Sequence, residues 1–182
     1  MLVKDLYVRV GGAVYAWLSD EPHTIRQYVW ILFWLLIFNM AWDYSWDFIL
    51  GTSGFEMYTL SVSGLSSLLS KELLGSLLLI PLEEEFLFRA LPLWLAVRLL
   101  RPWALVPIVL ITSVVFGFGH EGAIGILFQG VGGITFSLVF LKCGGMRGAF
   151  WKPFITAVLL HVAVNGWVEL ESLITSAAAV SF

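Results

Sequence analysis

Pro81-Leu82-Glu83-Glu84-Glu85-Phe86-Leu87-Phe88-Arg89 sets charged side chains inside a stretch that is otherwise apolar from about residue 72 to residue 100. How this stretch is read decides the fold. In a soluble protein it would be an ordinary solvated face. At the centre of a membrane helix each charge costs about 2.5 to 3.5 kcal/mol on insertion scales, so it persists only with partners, water or protonation. Composition separates the two readings. The chain has 182 residues, 59% hydrophobic and 13% charged, with a mean hydropathy of +0.91. A soluble domain carries roughly a quarter charged residues and about half apolar ones. The excess of apolar surface calls for lipid, and nine tryptophans suit the headgroup level of a bilayer.

Working outward, a spanning helix needs about 20 mainly apolar residues. Candidate spans run from about 27 to 50, 72 to 100, 103 to 118, 123 to 141 and 150 to 173. Pro81 inside the second predicts a kink. Residues 6 to 19 form a shorter apolar stretch, expected at the interface rather than across the bilayer. Residues 51 to 70 are rich in Gly and Ser and fit a loop, a re-entrant segment or a short surface helix. The expectation is an all-α, polytopic membrane helix bundle with about five to six transmembrane helices in a single domain over 1–182. Lys4, Asp5 and Arg9 interrupt the first stretch, so it does not read as a cleaved signal peptide.

With five spans, Lys4, Arg9, Arg26, Arg98, Arg101, Lys142, Arg147 and Lys152 fall on one side of the membrane. That side is expected to be cytoplasmic, in a bacterial or archaeal cell (inner) membrane. The small net charge of -3 implies no nucleic-acid partner. The single cysteine, Cys143, permits no intrachain disulfide, and it lacks the activating neighbour that a nucleophilic thiol needs.

Three segments carry chemistry. Glu85 and Arg89 are four apart, share a helix face and can pair, which leaves Glu84 on an adjacent face. Phe116-Gly117-Phe118-Gly119-His120 brings a His at the end of the third span. His161-Val162-Ala163-Val164-Asn165 sets a His and a carboxamide on one face of the last span. Each segment alone has a bland reading: a loop break, an interface His, interhelical glue. Together they supply a general base with orienting and oxyanion-stabilising partners. There is no serine-nucleophile motif and no His-Glu-x-x-His zinc helix.

This ordered set, Glu84, Glu85 and Arg89, then Phe116 and His120, then His161 and Asn165, resembles the motifs of the CAAX-protease and bacteriocin-processing (CPBP, or Abi) family of intramembrane proteases. The resemblance covers about residues 70 to 170. Ala90 departs from it, since members often have Gly after the Arg. The resemblance implies hydrolysis of a peptide bond in a membrane-anchored or lipidated protein, within the bilayer, by water activated at Glu84. His120 would hold the water, His161 and Asn165 would stabilise the oxyanion, and Glu85 with Arg89 would orient the site. It implies no cofactor, although one Glu and two His are also a catalytic zinc ligand set. A CAAX-type substrate and a C-terminal sorting signal are both open. The rival readings are a non-catalytic scaffold or immunity protein and a proton-coupled transporter, the latter disfavoured by the lack of internal repeats.

Overall fold

The computed structural model describes residues 2–50 and 75–180. The Gly/Ser-rich stretch 51 to 70 lies outside them. Every element among the described residues is helical. α1 spans Leu2–Ser19 and α2 spans Ile25–Leu50. A continuous helical run over 75–99 follows, made of a π-turn at Gly75–Leu79, α3 at Ile80–Glu85, a second π-turn at Phe86–Ala90 and α4 at Leu91–Leu99. α5 is Leu105–Leu127, α6 is Gln129–Lys142 and α7 is Trp151–Val180.

Three stretches are long and apolar enough to cross a membrane: Ile25–Trp46, Pro102–Leu127 and Trp151–Ile174. Only 6% of the first is buried inside the protein. Trp30, Phe33, Trp34 and Phe38 all stand exposed along it. A surface of that size and apolarity has no stable place in water. The chain is an integral membrane protein.

The run 75–99 is broken into short pieces because of its prolines. Pro81 and Pro92 each sit in the first turn of an α-helical piece, where a missing N–H is harmless. The π-turn that precedes each proline takes up the register shift. The kink expected at Pro81 is therefore distributed over two wide turns, and the second one carries Arg89.

α5 is a hairpin in disguise. Glu121 (φ -141°, ψ 30°) and Gly122 (φ 63°, ψ -137°) leave the helical region and turn the chain back on itself. Gly122 lies in left-handed territory that a side chain would disfavour. The legs before and after the turn then meet at Gly117 and Gly125, so closely that a Cβ on Gly117 would lie 2.5 Å from the Gly125 carbonyl oxygen. Glycine at both positions lets two backbones touch, as small residues do between membrane helices. The third expected span, 103 to 118, is the first leg; the fourth, 123 to 141, divides between the short second leg and α6, so Pro102–Leu127 is apolar enough to cross but reverses within its length.

α6 occupies the centre. Gly130, Gly132, Gly133, Thr135, Phe136, Ser137, Val139, Phe140, Leu141 and Lys142 are all buried. A helix covered on every side is a core helix. Its neighbours are α1, α2, α5 and α7, together with the π-turn at Phe86–Ala90. Leu93 and Ala96 of α4 and Ala157 and Leu160 of α7 complete the apolar core. Asn39 of α2 donates its Nδ2–H to Thr135 Oγ1 at 2.8 Å and to the Leu35 carbonyl at 2.7 Å, which stitches α2 to α6.

The basic residues gather at one end of the bundle. Glu21, in the linker from α1 to α2, accepts from Lys152 Nζ at 2.6 Å and lies 3.4 Å from Arg147. Lys142 Nζ donates to the carbonyls of Trp17 and Asp20, and Arg98 donates to the Gly148 carbonyl at 3.3 Å. Arg98, Lys142, Arg147 and Lys152 thus share an end.

Candidate active site

Four helical segments converge on a cluster of ionisable groups. Seen from the basic end, Glu84 lies 14 residues back from Arg98 and His161 lies 10 residues into α7. At 1.5 Å per residue these distances from that end are about 21 Å and 15 Å.

Glu85 and Arg89 face inward from the run 75–99 and are fully buried. Arg89 Nη1 lies 3.4 Å from Glu85 Oε1. The guanidinium stacks on the Phe116 ring, 3.9 Å from its centroid, with Phe136 at 5.3 Å. An isolated buried charge would be very costly, so the carboxylate, together with the aromatic faces, is what makes the buried cation tolerable. Glu85 Oε1 also receives His161 Nδ1–H at 2.9 Å. A carboxylate oxygen accepts, so the proton on this side of the ring belongs to Nδ1. The ring is sandwiched against Phe136, centroids 4.5 Å apart at 17°.

Glu84 differs from its neighbour. Its side chain keeps 19% of its surface accessible, where that of Glu85 keeps none. One oxygen, Oε1, lies 3.4 Å from His120 Nε2, and the other, Oε2, lies 3.6 Å from His161 Nε2. His120 in turn places Nδ1 at 2.9 Å from the Phe116 carbonyl, one turn earlier in α5. A carbonyl only accepts, so His120 too is protonated at Nδ1. Both imidazoles spend Nδ1–H on a fixed oxygen and turn Nε2 toward the Glu84 carboxylate.

Five of the six residues singled out in the sequence are thus joined in one network: Glu84, Glu85, Arg89, His120 and His161. The expected Glu85–Arg89 pair forms. Asn165 lies one turn beyond His161 on α7, half-buried, and forms no hydrogen bond with the described residues. Phe136 escaped the sequence reading, as did the Gly130-Val131-Gly132-Gly133 run before it. The density of small residues in an apolar span was the available signal.

A metal fits this donor set poorly. Histidines that ligate a metal do anchor their second nitrogen as these two do. Here, however, they meet opposite oxygens of Glu84, so the donors are strung His120–Glu84–His161 rather than gathered about a point. No group of three His, Cys, Asp or Glu side chains among the described residues is arranged to hold a metal ion. Cys143 is buried, sits after α6 at the basic end, and takes no part in the network.

The family model for type II CAAX prenyl endopeptidase Rce1-like proteins matches residues 66–167, more than half of the chain. The matched stretch contains all six residues. No curated protein and no solved structure matches the chain.

Proposed function

The chain belongs to the type II CAAX prenyl endopeptidase Rce1-like family, and from that premise we propose that it hydrolyses a peptide bond of a membrane-anchored or lipidated protein with water activated by Glu84. One observation carries the assignment: in the run Glu83-Glu84-Glu85, Glu83 is exposed, Glu85 is sealed, and Glu84, partly accessible, sits between two histidine Nε2 atoms. Glu85 is sealed and bound to Arg89 and His161. Adjacent carboxylates in such different surroundings take different roles.

Water enters between Glu84 and His120. It gives one proton to Glu84, and its oxygen attacks the scissile carbonyl carbon. His120 Nε2, with its lone pair free because Nδ1 holds the proton, accepts the water's other hydrogen and fixes its direction. His161 faces the same carboxylate from the other side. To donate to the oxyanion its Nε2 must also carry a proton, and Glu85 at Nδ1 stabilises that doubly protonated ring. The Asn165 carboxamide supplies a second donor from the same helix face. As the C–N bond breaks, Glu84 returns its proton to the leaving amine. No metal enters this scheme, and no covalent intermediate forms.

The substrate reaches the site within the bilayer, since Glu84 lies far from the basic end. We assign the basic end to the cytoplasm on the positive-inside rule. The test uses the protein in lipid nanodiscs with two peptides, one prenylated at a C-terminal CAAX box and one with a transmembrane C-terminal anchor. Mass spectrometry should find one of them cut at a defined bond, in the presence of a chelator, by the wild type and not by Glu84→Gln. Cleavage that survives Glu84→Gln, or that stops with the chelator and returns with zinc, would refute the mechanism. A lack of cleavage by well-folded wild type of either peptide would favour a scaffold role.

A further inference from the structure

Arg89 is held from a side that none of the three motifs marks. A Cβ built on Gly133 of α6 would lie 2.7 Å from Arg89 Nη2, 3.1 Å from Ser113 Oγ and 3.2 Å from Ser113 Cα. Real Cβ atoms do not approach a nitrogen that closely. Ser113 is the α5 wall of the same slot, and its backbone cannot retreat. The guanidinium is therefore the group that would have to give. It has little room to do so, because Phe116 stacks on it at 3.9 Å and the side chain is fully buried. Arg89 Nε and both terminal nitrogens have no close hydrogen-bond partner among the described residues, so packing rather than a bonded clamp sets the position of the group.

We infer that Gly133 is a positioning residue for the active site: its missing side chain opens the slot that seats Arg89 against Glu85, and through Glu85 it fixes the ring of His161. The inference rests on the protease reading of this cluster. Arg89 touches Glu85 Oε1, the same oxygen that receives His161 Nδ1–H. A guanidinium pushed out of the slot leaves Glu85 unneutralised and free to swing, and the His161 ring loses its fixed tautomer. A buried glycine one position away provides the control. A Cβ on Gly132 would meet nothing nearer than Asn39 Oδ1 at 3.5 Å, an ordinary contact.

The experiment is a double-mutant cycle in nanodiscs with Gly133→Ala, Arg89→Lys and their combination, beside Gly132→Ala. Two readouts are taken: peptide cleavage, and the His161 ring-nitrogen signals of 15N-histidine-labelled protein. Gly133→Ala should lower kcat about 10- to 100-fold, as small misplacements of catalytic groups do, with KM changed less than about threefold. The His161 Nδ1–H signal should weaken or shift, while Gly132→Ala leaves both readouts unchanged. Lysine has no terminal fork to meet the new methyl, so in the Arg89→Lys background Gly133→Ala should cost clearly less than in the wild type, leaving only its tighter contact with Ser113. Equal damage by Gly133→Ala in both backgrounds would mean simple helix packing and would overturn the inference. So would a Gly133→Ala protein as active as Gly132→Ala. If even the wild type cleaves no peptide, the protease reading fails, and the His161 signals still decide whether Gly133 positions the cluster.

Discussion

His161 donates its Nδ1–H to Glu85 Oε1 across 2.9 Å, joining residues 76 apart in sequence. The bond ties α7 to the run 75–99 at the level where the π-turn departs from regular helix. Three consequences meet in it. Glu85 is neutralised by Arg89 and removed from water; the His161 ring is held with a proton on Nδ1; and of the two carboxylates that meet the histidines only Glu84 keeps accessible surface. The network divides labour between neighbours that look interchangeable in sequence.

That division predicts opposite phenotypes for two isosteric changes. Glu84→Gln removes the base and should lower kcat by at least 10²-fold, in the usual range for a general base, with little change in thermal midpoint. Glu85→Gln leaves Arg89 buried without its counter-charge, a change that typically costs about 3–5 kcal/mol. It should lower the unfolding temperature in detergent markedly as well as activity. Thermal unfolding measured beside peptide cleavage separates them. A Glu85→Gln protein as stable as wild type would show that the buried pair matters little.

How much of this was legible in the sequence differs from residue to residue. The Glu85–Arg89 pair was, because four-residue spacing on a helix dictates contact. The membrane setting was, because apolar runs need lipid. Spacing leaves Glu84 outside the pair but does not say which carboxylate stays wet, since burial depends on α5 and α7, whose placement no local pattern fixes. Phe136 and Gly133 were invisible as site residues, because an aromatic and a glycine in an apolar helix are ordinary core material. The reversal at Glu121–Gly122 was visible as a gap between two apolar runs. The closeness of the two legs was not, and it depends on Gly117 and Gly125.

That closeness is itself testable. Gly117 and Gly119 flank Phe118 in one short motif, yet they have different surroundings. A Cβ on Gly117 would strike the backbone of Gly125 and Gly130, whereas one on Gly119 meets nothing within 4 Å. Gly117→Ala should force the hairpin legs apart and destabilise by about 1–3 kcal/mol or more, as overpacking does. Gly119→Ala should be neutral or slightly stabilising, because alanine is the better helix former. Equal unfolding midpoints for the two variants would contradict the close approach.

At the basic end, Lys152 bonds Glu21 and holds its carboxyl below the usual range, with Arg147 adding to the effect. A lowered folded-state value means that this contribution is present above the unfolded carboxyl range and fades as pH falls through the folded value. The protection of amides at the C-terminal end of α1 and in the linker 20–24, taken against the intrinsic exchange rate at each pH, should therefore fall between about pH 5 and pH 3. Glu21→Gln should show low protection throughout, with no such fall. The effect is modest, because Lys152 and Arg147 are more than half exposed and water screens them. The Lys142 bonds to the Trp17 and Asp20 carbonyls hold α1 in either case. Protection that stays constant with pH in the wild type would assign the docking of α1 to Lys142 alone.

Cys143 provides the sharpest contrast with a catalytic thiol. Burial pushes its pKa up to about 12, and the residue has no accessible surface. Reactive thiols are shifted the other way, toward the thiolate, and are open to reagents. The folded protein should thus resist iodoacetamide at pH 8 over hours, while the detergent-unfolded chain is labelled quickly, as intact mass would record. The sign of the shift also predicts stability. A thiol that ionises more easily unfolded than folded pulls the equilibrium toward the unfolded chain as pH rises above about 9. The unfolding temperature should fall there in the wild type and less in Cys143→Ala. Cleavage by Cys143→Ala should match the wild type, since the thiol lies at the basic end and outside the Glu84 network. Rapid alkylation of the folded protein with parallel loss of cleavage would instead make Cys143 a participant, and the water-activation scheme would have to be abandoned.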